Sequence, residues 1–258
     1  MSEEDTNRLF EGYFAVFPWV QLPKDAVGFD LGCGSGRWAK LVAQRLAGGG
    51  GRLPCIDPSI AIEVARRNLM GMINYEFHQA GVDDIPLPDR SMDFGYSLGV
   101  LHHIPDTQAA LASCVAKLRP GAPFLLYLYY KFDNPPAWFR LLWKASELIR
   151  GLVSRMPHGL RYFISQIIAT LTYWPLARFS GLAESFGLVV KNFPLSAYRN
   201  LGFYVMQTDA LDRFGTRLEQ RFSKTEIRRM MELAGLNNIV FSEKIPFWCA
   251  VGFAKTER

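Results

Sequence analysis

The sequence predicts an α/β fold built on a mostly parallel sheet, and three observations carry that reading. Short apolar runs alternate with helical-period segments of about 10–13 residues along the first half of the chain, as right-handed strand–helix–strand units do. A glycine-rich loop stands between the first apolar run and the helix that follows it. A capped helix and two further apolar runs then complete the pattern near the end.

Taken in order, residues 6–20 (TNRLFEGYFAVFPWV) predict a short helix with Phe10, Tyr13, Phe14 and Phe17 on one face, stopped near Pro18. VGFDL (27–31) is an apolar strand, and RWAKLVAQRLA (37–47) has helical period before a run of glycines at 48–51. LPCID (53–57) is a second strand, with Pro54 tolerable only near its start. IAIEVARRNL (60–69) is a helix, YEFHQA (75–80) a strand, and IPLPDRS (85–91) a proline-marked loop. MDFGYSLG (92–99) is a strand, DTQAALASCVAKL (106–118) a helix closed by Pro120-Gly121, and PFLLYLYYKF (123–132) a fifth, fully buried strand. Residues 135–182 break this rhythm with aromatic-rich helical patterns, which predicts an inserted helical lid between the fifth and sixth strands. Ser223-Lys-Thr-Glu226 is a capping box, Gly235 the stop of its helix, and 238–244 and 247–255 a terminal strand pair around Pro246. The organisation expected is therefore a core at 1–134, an insertion at 135–182 and a C-terminal part of the core at 183–258.

A chain of 258 residues buries a sizeable core without disulfide staples. Its net charge of +5 resides in 131–182, which holds seven basic and two acidic residues; the rest is about neutral. One local basic face fits that distribution better than a nucleic-acid surface spread over the protein. The four cysteines (Cys33, Cys55, Cys114, Cys249) have no zinc-ligand spacing, so no metal is expected and reduced core thiols in a cytoplasmic protein are. The polar, acidic start (MSEEDTNRLF) does not resemble a secretory signal. The longest uncharged run, between Arg161 and Arg178, is too short and polar to span a bilayer comfortably.

The glycine loop reads Asp30-Leu-Gly32-Cys33-Gly34-Ser-Gly36. Glycines let a backbone turn tightly and approach a ligand closely, and a helix N-terminus favours an anion. Dinucleotide sites use GxGxxG around a pyrophosphate, which an adjacent acid would repel. Here the spacing is GxGxG with an acid two residues before the first glycine, which suits a ligand carrying an ammonium group beside its carboxylate. Asp57, at the end of the second strand, is placed to accept two hydrogen bonds from a ribose diol.

The segments VGFDLGCGSGRWAKLVA, CIDPS, VDDIPLPDRSMDFGYSLGVLHHIPD, LRPGAPFLL and EIRRMMELAGL together resemble class I S-adenosylmethionine-dependent methyltransferases of the small-molecule type 11 group. The resemblance spans about residues 25–130 and 220–256. It implies a Rossmann-like seven-stranded sheet whose last strand is antiparallel, and S-adenosylmethionine as cofactor. It further implies that Asp30, Gly32, Cys33, Gly34 and Gly36 hold the methionyl part and that Asp57 and Pro58 face the ribose. Val82 and Asp83 would flank the adenine, and Ser97 and Leu98 line the methionine moiety. Gly81 stands where many relatives carry an acid.

Methyl transfer to a hydroxyl benefits from a general base, and His is the usual choice near neutral pH. His102-His103 follows the fourth strand, at the sheet edge where such folds bind substrates. Acceptor contacts are expected from Tyr13, Tyr130 and Trp138, and from Asp212 and Arg217 in a loop ahead of the capped helix. The insertion interleaves aromatics with basic residues, a composition that suits a lid, a membrane-proximal surface or an oligomer interface. The expected function is therefore methylation of a hydroxyl on a small molecule or glycan-type acceptor. The alternatives are a lipid or quinone acceptor at the membrane, or a catalytically silent cofactor-binding scaffold.

Overall fold

The computed structural model describes residues 3–71, 74–131, 137–190, 193–243 and 248–256, with the backbone alone at 137–140. The chain divides into a sheet unit, residues 7–131 and 220–258, and a helical unit, residues 1–6 and 132–219.

The sheet unit holds seven strands: β1 (Gly28–Leu31), β2 (Leu53–Ile56), β3 (Tyr75–His78), β4 (Phe94–Leu98), β5 (Pro123–Tyr127), β6 (Leu236–Phe241) and β7 (Ala250–Ala254). Their order is β3-β2-β1-β4-β5-β7-β6. The pairs among β1 to β5 are parallel, whereas β7 runs antiparallel to both of its neighbours, β5 and β6. Helices α1 (Glu3–Tyr13, whose first residues belong to the other unit), α2 (Arg37–Leu46), α3 (Ala61–Asn68), α4 (Thr107–Ala116) and α9 (Lys224–Leu233) accompany the strands.

Alternation along the buried strands sorts side chains between two cores. Phe29 and Leu31 join Phe124, Leu126, Leu111 and Met231 on one face. Leu125 goes to the other face, with Phe14, Val42, Phe94 and Tyr96. Asp30 lies between Phe29 and Leu31 and is in register with Tyr96, so its side chain is sent to that second face. Between β1 and β4 the strand order reverses, and the crevice at the carboxyl ends of such a pair is where open α/β sheets take ligands.

Several expected boundaries move. The fifth strand ends at Tyr127, short of the expected 132, and its continuation pairs with another segment: Tyr130 bridges to Phe222 in parallel. The first helix starts at Glu3 and ends at Tyr13, five residues before Pro18. The terminal strands occupy 236–241 and 250–254, and Pro246 lies outside the described residues. The capping box forms as expected: Ser223 Oγ accepts from the Glu226 amide at 3.2 Å, and Glu226 Oε2 accepts from the Ser223 amide at 2.7 Å.

The helical unit comprises α5 (Ala137–Val153), α6 (His158–Ile168), a π-turn over Ala169–Tyr173, α7 (Trp174–Ser185) and α8 (Phe203–Gly215). It runs to Glu219, well past the expected limit at 182, because α8 packs on α5 and α6. Its core is Val153, Ala169, Tyr173, Ala177, Met206, Ala210 and Phe214, with three alanines permitting close helix approach. An ion network lies beside that core. Arg213 Nη2 donates to Glu147 Oε1 at 2.6 Å, Arg150 Nη2 donates to Glu147 Oε2 at 2.9 Å, and Arg213 also pairs with Glu219. Burial raises the Glu147 carboxyl, but its two arginines outweigh burial and hold it below the usual range.

Candidate active site at the sheet edge

The loop after β1 is shaped by backbone geometry. Gly32 has φ +79°, and a Cβ there would lie 2.3 Å from the Val100 side chain, so neither conformation nor space admits a larger residue. Gly34 has φ +53°, but a Cβ there would meet nothing within 4 Å. Its conformation demands glycine while its side faces open space, the arrangement expected where a ligand comes close to backbone. The helix that follows the loop, α2, directs its N-terminus here.

Two buried carboxyls flank this loop. Asp57 is 7% exposed and accepts from the Gly34 amide at 2.9 Å, from the Ser59 amide at 2.9 Å and from Ser59 Oγ at 2.6 Å. It therefore ties the tip of the glycine loop to the end of β2. Asp30 is 2% exposed and accepts from Tyr96 Oη at 2.9 Å. Burial pushes its carboxyl up to about 8; the Tyr96 hydrogen bond opposes the shift and the Asp57 charge adds to it. Asp30 thus holds a proton near neutrality, and a cation beside it would favour its ionised form.

The neighbours expected to share this site divide. Cys33 is buried, its amide donating to Ile56 O at 3.2 Å and its thiol directed to Gly34 O. Pro58 is exposed beside Asp57. Val82 is a core residue and Asp83 is exposed, both in a short 3-10 turn after β3. Ser97 is fully buried, and its hydroxyl donates to Leu31 O at 2.9 Å, which binds β4 to β1. Leu98 packs in the second core.

After β4, residues 101–103 form one 3-10 turn carrying both histidines. This turn is clamped from a distant part of the chain. Gln220 donates through its amide to His102 O at 3.0 Å and through Nε2 to Ile104 O at 2.7 Å and Thr107 Oγ1 at 3.1 Å. His102 is fully buried, stacked on Tyr129 at 3.9 Å and 4.0 Å from the His103 ring centroid. Neither of its ring nitrogens meets a hydrogen-bond partner among the described residues. Burial first, then the charges of His103 and Arg221, hold His102 down at about 2, so it stays neutral at working pH. His103 is half-buried.

A row of rings continues from this pair. Tyr129 lies 6.0 Å from Tyr127, Tyr127 lies 5.0 Å from Tyr13, and Tyr13 lies 5.1 Å from Trp38. Arg221 sits over Tyr129 at 5.2 Å and donates to Tyr130 O at 3.3 Å. Gln220, Arg221, Tyr96 and Trp38 join the site without any local signal in the sequence, whereas Tyr127 and Tyr129 reach it from the end of the fifth apolar run, as their position there suggests. Tyr13 and Tyr130 belong to this unit, whereas Asp212 and Arg217 belong to the helical one. Asp212 lies within α8 rather than in the expected loop, and Arg217 lies just past it, its carbonyl accepting from Arg150 Nη1 at 3.2 Å. The side chain of Trp138 lies outside the described residues. Among the described residues, no three or more His, Cys, Asp or Glu side chains converge as metal ligands.

The donor set fits the cofactor that the sequence implied. A glycine loop open at Gly34, a buried acid awaiting a cation and a second carboxylate one strand away match its zwitterionic methionyl end and its ribose. Residues 29–121 match a family model described as "Methyltransferase domain". Among curated proteins, the chain is 28% identical over 156 residues to a ubiquinone biosynthesis O-methyltransferase of Xanthomonas axonopodis pv. citri, covering 59% of this chain and 61% of that protein. It is 29% identical over 149 residues to the same-named protein of Xanthomonas oryzae pv. oryzae, covering 56% and 58%. The chain thus spans about three-fifths of the length of these relatives. Among solved structures, an O-methyltransferase family protein from Burkholderia thailandensis superposes with TM-score 0.57 at 10% identity, covering 98% of this chain and 57% of that one. The apo form of the S-adenosylmethionine-dependent methyltransferase SibL gives TM-score 0.58 at 12% identity, covering 97% and 56%. At such identities the likeness is one of fold.

Proposed function

We propose, from the premise that the chain carries a class I S-adenosylmethionine-dependent methyltransferase domain, that it methylates a hydroxyl group of a small-molecule acceptor, with His103 as the base. The observation that carries this reading is the placing of the Asp30–Gly34–Asp57 cluster and the histidine turn on adjacent strand ends, at the point where strand order reverses. When bound, S-adenosylmethionine supplies an electrophilic methyl group on a sulfonium sulfur.

The chain's own residues do the rest. Asp30 gives up its proton and pairs with an ammonium group, and the backbone at Gly34 accommodates a ligand carboxylate near the N-terminus of α2. Asp57, which now accepts from the Ser59 hydroxyl, would hold the ribose diol. His103 takes the acceptor's proton on a ring nitrogen as the new bond forms. His102 is a positioning residue: buried and uncharged, it fixes the turn by stacking on Tyr129 while Gln220 holds the backbone. Tyr13, within the row of rings, and Tyr130, beside Arg221, are the acceptor contacts in this reading. The aromatic lining excludes water and suits a flat apolar acceptor.

The similarity to ubiquinone biosynthesis O-methyltransferases favours, as a second reading, a quinol hydroxyl over a glycan one. Incubating the protein and methyl-labelled S-adenosylmethionine with extract from a strain lacking the gene separates these readings. Label is expected in an organic-soluble phenolic product; label in polysaccharide selects the glycan acceptor. If calorimetry detects no binding of S-adenosylmethionine or S-adenosylhomocysteine, the whole assignment falls.

A further inference from the structure

Helix α5 is inside out. A surface helix of a soluble protein turns its polar face to water, yet α5 turns Ser146, Glu147 and Arg150 inward to the Arg213 network. Its exposed face is Leu141, Ala145, Leu148 and Leu152, spaced by four, three and four residues, with Leu148 74% exposed. A second exposed apolar stripe follows α6 through the π-turn into α7: Leu160, Phe163, Ile167, Leu171 and Trp174, with Leu171 72% exposed. Two independent helical faces of one small unit are therefore apolar where water would be, far beyond the scattered leucines of an ordinary surface.

The charges beside these stripes are basic. Lys144 is exposed on the apolar side of α5, Arg155 is exposed just past its end, and Arg178 extends the second stripe one turn beyond Trp174. The acids of 137–190 are Glu147 and Glu184. Glu147 is tied to Arg150 and Arg213, and Glu184 accepts from Arg199 at 2.6 and 2.9 Å. Leucines flanked by uncompensated basic side chains, with Tyr162 and Trp174 exposed among them, complement an anionic lipid surface. Two copies of the chain meeting through this face would instead bring like charges together. Among the described residues no helix is long and apolar enough to cross a membrane, so the contact is interfacial.

We propose that the helical unit is a membrane-docking module that binds an anionic bilayer surface through the outer faces of α5 and of α6–α7. Docking stands apart from the catalytic assignment and requires no methyl transfer.

Sedimentation of the full chain with two kinds of vesicle tests it: phosphatidylcholine alone, and phosphatidylcholine mixed with phosphatidylglycerol. Co-sedimentation is expected with the mixed vesicles and is expected to fall as salt is raised. Leu148→Glu and Leu171→Glu, both at exposed positions, should each weaken partition about tenfold or more with the thermal midpoint unchanged. Protein left in the supernatant with both vesicle types overturns the proposal, as does equal binding by wild type and variants. So does light scattering that shows a lipid-free dimer which the two substitutions dissociate.

Discussion

Asp30 combines two demands that conflict in the free protein: it must be buried to meet its ligand out of water, and burial penalises its charge. Between the ordinary value of 3.8 and about 8, the folded chain binds a proton there that the unfolded chain has released. Stability therefore falls as pH rises through that window, and the loss is complete above about pH 8. Asp30→Asn removes the penalty and keeps an acceptor for Tyr96. Its stability relative to wild type should grow on the order of a few kcal/mol from acid to pH 8, read by urea unfolding at several pH values. The same variant should lose most of its affinity for S-adenosylhomocysteine. Wild type should release up to one proton per cofactor bound at pH 7, measured by calorimetry in buffers of different ionisation enthalpy. At the histidine turn the two rings part company. His103→Ala should lower kcat by about 10²–10⁴-fold with cofactor affinity unchanged. His102→Phe keeps the stacked ring and removes two buried nitrogens that meet no partner among the described residues, so it should leave stability within about 1 kcal/mol or raise it. The histidine pair was legible as chemistry from its position after a strand, but only burial separates the roles of its members.

The glycine loop and its two acids could be read directly, because residues 30–36 and 57 lie within two consecutive strand–loop units and the pattern is local. The clamp on the histidine turn could not. Gln220 meets Ile104 across 116 residues of sequence, and nothing in the run LEQRFS marks a side chain bound for another loop. Gln220→Ala should lower kcat several-fold without changing cofactor affinity, since it frees the turn and leaves the glycine loop intact; steady-state kinetics alongside a binding titration would show the split. Within the glycine loop, Gly32→Ala should unfold the protein or lower its thermal midpoint sharply through Val100. Gly34→Ala should keep the fold at a cost of about 1 kcal/mol and obstruct the ligand. The insertion was legible as helical, but not how its faces are turned. Its composition suits a lid, a membrane-proximal surface or an oligomer interface alike, and in the fold Phe163 and Trp174 stand exposed while alanines make the helix contacts. Periodicity shows that a helix has an apolar face without showing what that face meets.

Across the molecule, stability should follow the sheet. β2, β1, β4, β5 and β7 have neighbours on both sides, and the largest fully buried rings, Phe29, Phe94, Tyr96 and Phe124, all sit on three of them. Hydrogen exchange should be slowest there and faster at the edge strands β3 and β6, with the helical unit exchanging as a separate group. The pattern of apolar runs made all seven strands readable, the terminal pair included, along with the helices between them. The order of the last two required pairing information that single-strand patterns do not hold.

That order constrains how the chain is made. β7 is synthesised after β5 and β6, yet it lies between them and pairs with both. Until Ala254 has left the ribosome, β5 presents an open edge and β6 has no partner in the sheet. The helical unit, encoded earlier, is complete by then. A nascent chain must therefore shield a row of unpaired backbone groups throughout translation of some 130 residues, and stalling in that interval leaves it prone to edge-to-edge association.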